Sequence, residues 1–62
     1  MKVKDVIANC TEKNLIIIRD HGKELKATNI APYKKAFAPY WERFVSVYWY
    51  EDNYETVIIV LD

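Results

Sequence analysis

Three residues in this chain could in principle do covalent chemistry, and each occurs once: Ser46, His21 and Cys10. Nucleophilic catalysis needs a nucleophile, a base and an orienting group within hydrogen-bond reach. Ser46 falls in the middle of a strand-like run, Phe44 to Tyr50, whereas His21 falls in a turn, so their spacing does not build a triad. Cys10 lies on the apolar stripe of a short N-terminal helix, where a thiol is a small buried hydrophobe with nothing nearby to depress its pKa. Glu51, Asp52 and Glu55 cluster around Asn53, the composition of a solvated turn, and too few other carboxylates converge on them for hydrolysis or calcium binding. With one histidine and one cysteine no zinc-type ligand set is available, and the lone Gly22 cannot make a phosphate loop. The expectation is a protein that is not an enzyme and carries no metal or cofactor.

The aromatic and basic residues are the remaining chemical resource. Nine aromatics occur in sixty-two positions, and seven of them fall between Tyr40 and Tyr54. Phe37, Phe44 and Trp41 suit a core, because large rings let a small domain bury more area per residue. Tyr48, Trp49 and Tyr50 are consecutive, so in a strand they must point to opposite faces. Tyr and Trp anchor interfaces and also stack on nucleobases. The candidate ligand or partner residues are therefore the rings Trp41, Tyr48, Trp49 and Tyr50. Arg19, Lys23, Lys26, Lys34 and Lys35 join them as phosphate-binding cations.

The net charge is zero, but it is unevenly placed. Residues 1–35 carry eight basic against four acidic side chains, and residues 36–62 carry one basic against five acidic. This polarity serves self-complementarity within the fold, or a basic patch facing phosphate or an acidic partner. Zero net charge argues against non-specific duplex DNA binding. The start, Met1-Lys2-Val3-Lys4-Asp5, lacks the apolar core of a signal peptide, and no apolar run reaches transmembrane length. Together with a single unpaired cysteine this leads to the expectation of a cytoplasmic protein without a membrane partner.

The elements that must position these side chains follow from periodicity. Val3, Val6, Ile7 and Cys10 recur at helical spacing. Leu15 to Arg19 is a β-branched strand, Asp20-His21-Gly22-Lys23 a hairpin turn with Gly22 at positive φ, and Glu24 to Thr28 an alternating edge strand. Asn29 to Pro32 leads into a helix over about 32–37, with Pro32 early in it; Pro39 limits it and leaves Tyr40 and Trp41 in an irregular turn. Phe44 to Asp62 is a second hairpin whose strands are apolar on both faces. Phe44, Ser46, Tyr48 and Tyr50 line one side of its first strand, and Val45, Val47 and Trp49 the other. The fold class is α+β: one domain over residues 1–62, ordered α-β-β-α-β-β, with a four-stranded, mainly antiparallel sheet. One apolar face packs on the chain's own helices; the other calls for a second subunit, a ligand or a partner. A core this small, with no disulfide or metal, points the same way, to a homo-oligomer.

The opening Met1-Lys2-Val3-Lys4-Asp5-Val6-Ile7, the turn Asp20-His21-Gly22-Lys23-Glu24 and the closing apolar hairpin together resemble short phage and prophage proteins of Firmicutes. The segment Pro32-Tyr33-Lys34-Lys35 departs from the acidic helix usual in such chains. The resemblance implies an α+β mini-domain from a mobile element and carries over no functional residue. With the ring and cation content, it leads to the expectation of a non-enzymatic counter-defence protein, an oligomer that sequesters a nucleotide-derived signal. The alternatives are a protein-binding inhibitor of a host or defence protein and a structural homodimeric accessory.

Overall fold

The computed structural model describes residues 1–31 and 33–62. A short helix α1 (Val3–Ile7) precedes strands β1 (Leu15–Asp20) and β2 (Lys23–Thr28). A 3-10 helix (Tyr33–Tyr40) then leads to β3 (Val45–Glu51) and β4 (Thr56–Leu61). The strands form one sheet in the order β2-β1-β4-β3.

Placement within the sheet follows from how apolar each strand is. β1 (Leu-Ile-Ile-Ile) and β4 (Val-Ile-Ile-Val-Leu) are apolar on both faces and take the centre, where neighbouring strands shield them. β2, with alternating lysines, and β3 become the edges. Both hairpins pair antiparallel, but β1 and β4 run parallel, so the sheet is mixed and not mainly antiparallel. The reason lies in the connection from Thr28 to Val45. It crosses one face of the sheet from end to end, so β2 and β3 point the same way, and their inner partners must then do so too.

The crossover also departs from the expected short α-helix over about 32–37. Its helical part runs from Tyr33 to Tyr40 as a 3-10 helix that includes Pro39 and Tyr40, and only Trp41 stays in the following turn. Pro39 has no N–H to donate in either kind of helix, but the tighter 3-10 winding avoids the clash of its ring with the carbonyl four back that an α-helix imposes. The early-helix role assigned to Pro32 lies outside the described residues.

Both helices cover the same face. There Val3, Val6, Ile7 and Phe37 pack on Ile16, Ile18, Val57, Ile59 and Leu61, all of them buried. The N-terminal amides of α1, which have no partner within the helix, donate to the crossover: Val3 N to the Arg43 carbonyl at 3.0 Å and Lys4 N to that of Trp41 at 3.1 Å. Asp5 accepts the Lys2 amide at 2.9 Å and closes the same end.

β3 is not evenly pleated. Val45 pairs with Leu61 and Val47 with Val60, which leaves Ser46 as a bulge. The extra residue turns Val45 onto the helix side, packed against the core, while Val47 stays on the opposite face. Val45 and Val47, expected on one face, are thereby separated.

Both hairpin turns use left-handed backbone. His21 (φ 49°) and Gly22 (φ 92°) make the two-residue reversal at which only glycine is free of strain. The β3–β4 turn places Asp52, Asn53 and Tyr54 at φ 52°, 58° and 69° in succession. Such a run costs of order 1–2 kcal/mol per non-glycine residue and persists only where the surroundings hold it. Asn14 holds it from outside: its Nδ2 donates to the carbonyls of Tyr54 at 2.7 Å and Glu55 at 3.0 Å. From within, the Thr56 hydroxyl donates to Asp52 Oδ2 at 3.2 Å.

Candidate functional site

The nine candidate residues do not form one site; the sheet separates them. Register places Trp49, Arg19 and Lys26 on the helix-free face, and Tyr48 and Tyr50 on the helix side. Lys34 and Lys35 lie on the exposed side of the 3-10 helix, and Lys23 beside the first hairpin turn.

On the helix side a cleft of about 400 Å³ opens between α1 and the crossover. Trp41, Lys34, Lys4 and Asn29 are in its wall, with Ile7 and Cys10. Its volume is within the roughly 300–1,000 Å³ of small-molecule sites. The Lys4 amide bonded to the Trp41 carbonyl brings that cation and that ring together. Trp41 is half-buried, edge-on to Phe37 with ring centroids 6.4 Å apart, so its orientation is held by the core. Asn29 is 9% exposed and donates through Nδ2 to the carbonyls of Thr11 at 3.1 Å and Cys10 at 3.4 Å. Its buried Oδ1 has no hydrogen-bond partner among the described residues. Lys4 and Asn29 escaped the reading of the sequence. Lys4 sits in a polar-looking N-terminus, and nothing local marks Asn29 as buried.

Charge around the cleft is organised by Glu42, which accepts from Lys2 and Lys4 at 2.8 Å each. These two hydrogen bonds pull the Glu42 carboxyl from 4.5 down to about 2, and the Glu42 bond raises the Lys4 ammonium above its usual value. Two cations share this one carboxylate, and the cleft wall itself is of mixed charge, Lys4 and Lys34 against Glu12. The folded Glu42 carboxyl is the stronger acid, so its contribution to stability is complete above pH 4.5 and disappears as the pH falls towards 2. Thermal unfolding of Glu42→Gln is expected to show a modest deficit at pH 6 that closes by pH 2. High salt should shrink it, because the pair is exposed. A deficit independent of pH sinks this assignment.

Cys10 closes the inner end of the cleft. Burial pushes its thiol pKa up, against a smaller opposing hydrogen bond with Tyr50, and Sγ lies 3.3 Å from the Val6 carbonyl. This is the environment of a packed thiol rather than of a thiolate nucleophile. His21 Nε2 lies 3.1 Å from the Asp62 carbonyl at the far end of the sheet. Ser46 is the exposed bulge residue. Among the described residues, no three His, Cys, Asp or Glu side chains converge in a metal-binding arrangement, and no helix is long and apolar enough to cross a membrane.

The other rings are already engaged. Tyr50 is flanked by Tyr48 at 6.3 Å, edge-on, and by Tyr54 at 5.4 Å. Trp49 has the Arg19 guanidinium over its ring at 5.9 Å, and its Nε1 donates to Glu51 at 3.0 Å. Arg19 and Lys26 both bridge Glu24, at 3.3 and 3.5 Å. Of the four candidate rings, Trp41 alone lines the cleft beside cations that Glu42 does not fully neutralise.

No protein-family model, curated protein or solved structure matches the chain.

Proposed function

We propose that this is a non-enzymatic binding protein that holds a small anionic, ring-bearing ligand of the nucleotide class in the cleft between α1 and the crossover. The observation that carries the reading is the meeting of Trp41, Lys34 and Lys4 in one cleft of nucleotide size. Trp41 offers a stacking surface whose orientation the core maintains, and the two lysines offer phosphate contacts from opposite walls. The unpartnered Asn29 Oδ1 adds an acceptor suited to an exocyclic amine. A buried acceptor left alone costs about 1–3 kcal/mol, which a ligand donor would recover. Sequestration of a nucleotide-type signal in a host cell is the role that fits this chemistry and the phage-like pattern of the chain.

The test uses Trp49→Phe, which leaves Trp41 as the sole tryptophan and its fluorescence as the signal. Titration with mono- and cyclic dinucleotides is expected to quench it. Replacing Trp41 with Ala in the native chain should weaken binding by roughly ten- to a hundredfold, the usual loss of one stacking ring. Lys34→Glu should weaken it further as salt is lowered. No quenching by any of these nucleotides at millimolar concentration, in a protein shown folded by circular dichroism, overturns the proposal.

A further inference from the structure

Among the described residues no helix packs on the face of the sheet opposite the cleft. Its middle is mostly apolar: Leu15 and Ile17 of β1, Ile58 and Val60 of β4, and Val47 and Trp49 of β3, with Arg19 of β1 lying over the Trp49 ring. Ile58 is only 2% exposed because its neighbours enclose it, whereas Val47 is 51% exposed. The two sides of this face differ in charge. Lys26 of β2 and Arg19 of β1 share the single carboxylate of Glu24 and leave one positive charge over; β3 contributes Glu51 beside the indole of Trp49.

We infer that this face is the contact between two copies of the chain, packed sheet on sheet about a two-fold axis parallel to the strands. Turning one sheet over about such an axis lays its β2 column on the β3 column of the other and keeps the rows in step. Lys26 and Trp49 share a row, since Lys26 pairs with Ile17, Ile17 with Ile58, and Ile58 with Trp49. In the pair, Lys26 therefore meets Trp49 of the partner subunit, with Glu51 of the partner subunit one strand pair further along. The two-fold makes the same ammonium–indole–carboxylate contact twice, at the two margins of the apolar patch. The same operation lays β1 over β4, so Ile17 faces Ile58 of the partner subunit and Val60 faces Arg19 of the partner subunit, about 10 Å from sheet to sheet as in aligned β-sandwiches.

The size of the face sets the strength. Four strands at about 4.8 Å spacing and six residues long give a face roughly 20 Å on a side. The area covered is then at or below the low end of specific interfaces, so the association is expected to be weak and reversible. The contact is independent of the ligand reading, because the cleft lies on the opposite face.

Sedimentation equilibrium from 5 µM to 1 mM tests it. The native protein is expected to shift from 7.4 kDa towards twice that mass as concentration rises. Lys26→Glu and Glu51→Lys, each alone, place like charges together and should raise the dissociation constant about tenfold. The double variant exchanges the two partners and should restore it. Val47→Asp introduces a charge at the edge of the apolar patch and should leave a folded monomer. A native protein that stays at 7.4 kDa throughout overturns the inference, and the face then has another occupant. Dimers that ignore both charge reversals also overturn it, by placing the contact elsewhere, as at the free edge of β3. Should Val47→Asp fail to fold, the exposed charge-exchange pair decides alone.

Discussion

Phe37→Ala is expected to remove about 3–5 kcal/mol of stability, a third or more of what holds the fold together. Phe37 is the only fully buried residue of the 3-10 helix, and it fixes the crossover to Ile16, Ile18 and the rest of the core. Truncating a buried phenylalanine costs about 3–5 kcal/mol, from lost transfer energy and the cavity left behind. A chain of sixty-two residues is stabilised by only roughly 3–9 kcal/mol in total, at the usual 0.05–0.15 kcal/mol per residue. The substitution therefore removes a third of the stability at least, and at the weak end all of it. It also removes the edge contact that orients Trp41, so the folded fraction should bind the proposed nucleotide-class ligand more weakly. Phe37→Leu keeps most of the apolar volume and should lose much less. Urea titrations followed by circular dichroism measure both; a Phe37→Ala midpoint within about 1 kcal/mol of the native protein would falsify the claim that the crossover is anchored at this ring.

Asn14 carries the second large effect. It is buried and ties its own loop to the β3–β4 turn: Oδ1 accepts the Thr11 amide at 2.8 Å, and Nδ2 donates to the carbonyls of Tyr54 and Glu55. Asn14→Leu should cost about 2–4 kcal/mol, since each buried group left unpaired costs about 1–3 kcal/mol and water reaches some of them. Asn14→Asp is a sharper probe. It keeps the size and the Thr11 bond but sets a carboxylate against two carbonyls that accepted hydrogen bonds. The folded state should then favour the protonated acid, so the pKa of Asp at this position rises on folding. Stability is retained below the unfolded pKa of about 3.9 and is lost as the pH rises through the folded value. The variant should thus be more stable at pH 4 than at pH 8, relative to the native protein. Equal losses at both pH values would show that the amide does not hold the turn.

The local elements could be read from the chain because their determinants are local. Gly22 with His21 specifies a two-residue reversal, the alternation of Glu24 to Thr28 specifies an edge strand with one wet face, and Val3, Val6 and Ile7 specify one helical stripe. The 3-10 geometry of the crossover was less legible. Pro39 signals that a regular α-helix is interrupted, but how the chain continues past it depends on where Phe37 finds its pocket. The bulge at Ser46 has no local signature at all. It arises because Leu61 draws Val45 to the core side while Val60 and Val47 pair on the other.

The candidate site was legible by type and not by place. Rings and cations stood out as the candidate binding residues, but period-two alternation alone sends Tyr48 and Tyr50 away from Trp49. Which ring joins which cation is decided by contacts far apart in sequence. The Lys4–Trp41 backbone bond assembles the cleft, and the Arg19–Trp49 stack occupies the other tryptophan.

By itself, then, the sequence determined two hairpins, a short amphipathic helix and the doubly apolar character of β1 and β4. Hydrogen bonds and burial over a few residues suffice for each of these. The parallel pairing of β1 with β4, the single face covered by both helices and the meeting of Trp41 with Lys4 and Lys34 were decided only by the tertiary structure. They depend on which way a long crossover traverses the sheet, and that choice is made by the summed burial of Phe37, Val3 and Val6 against strands from both hairpins. No window of the chain contains that sum.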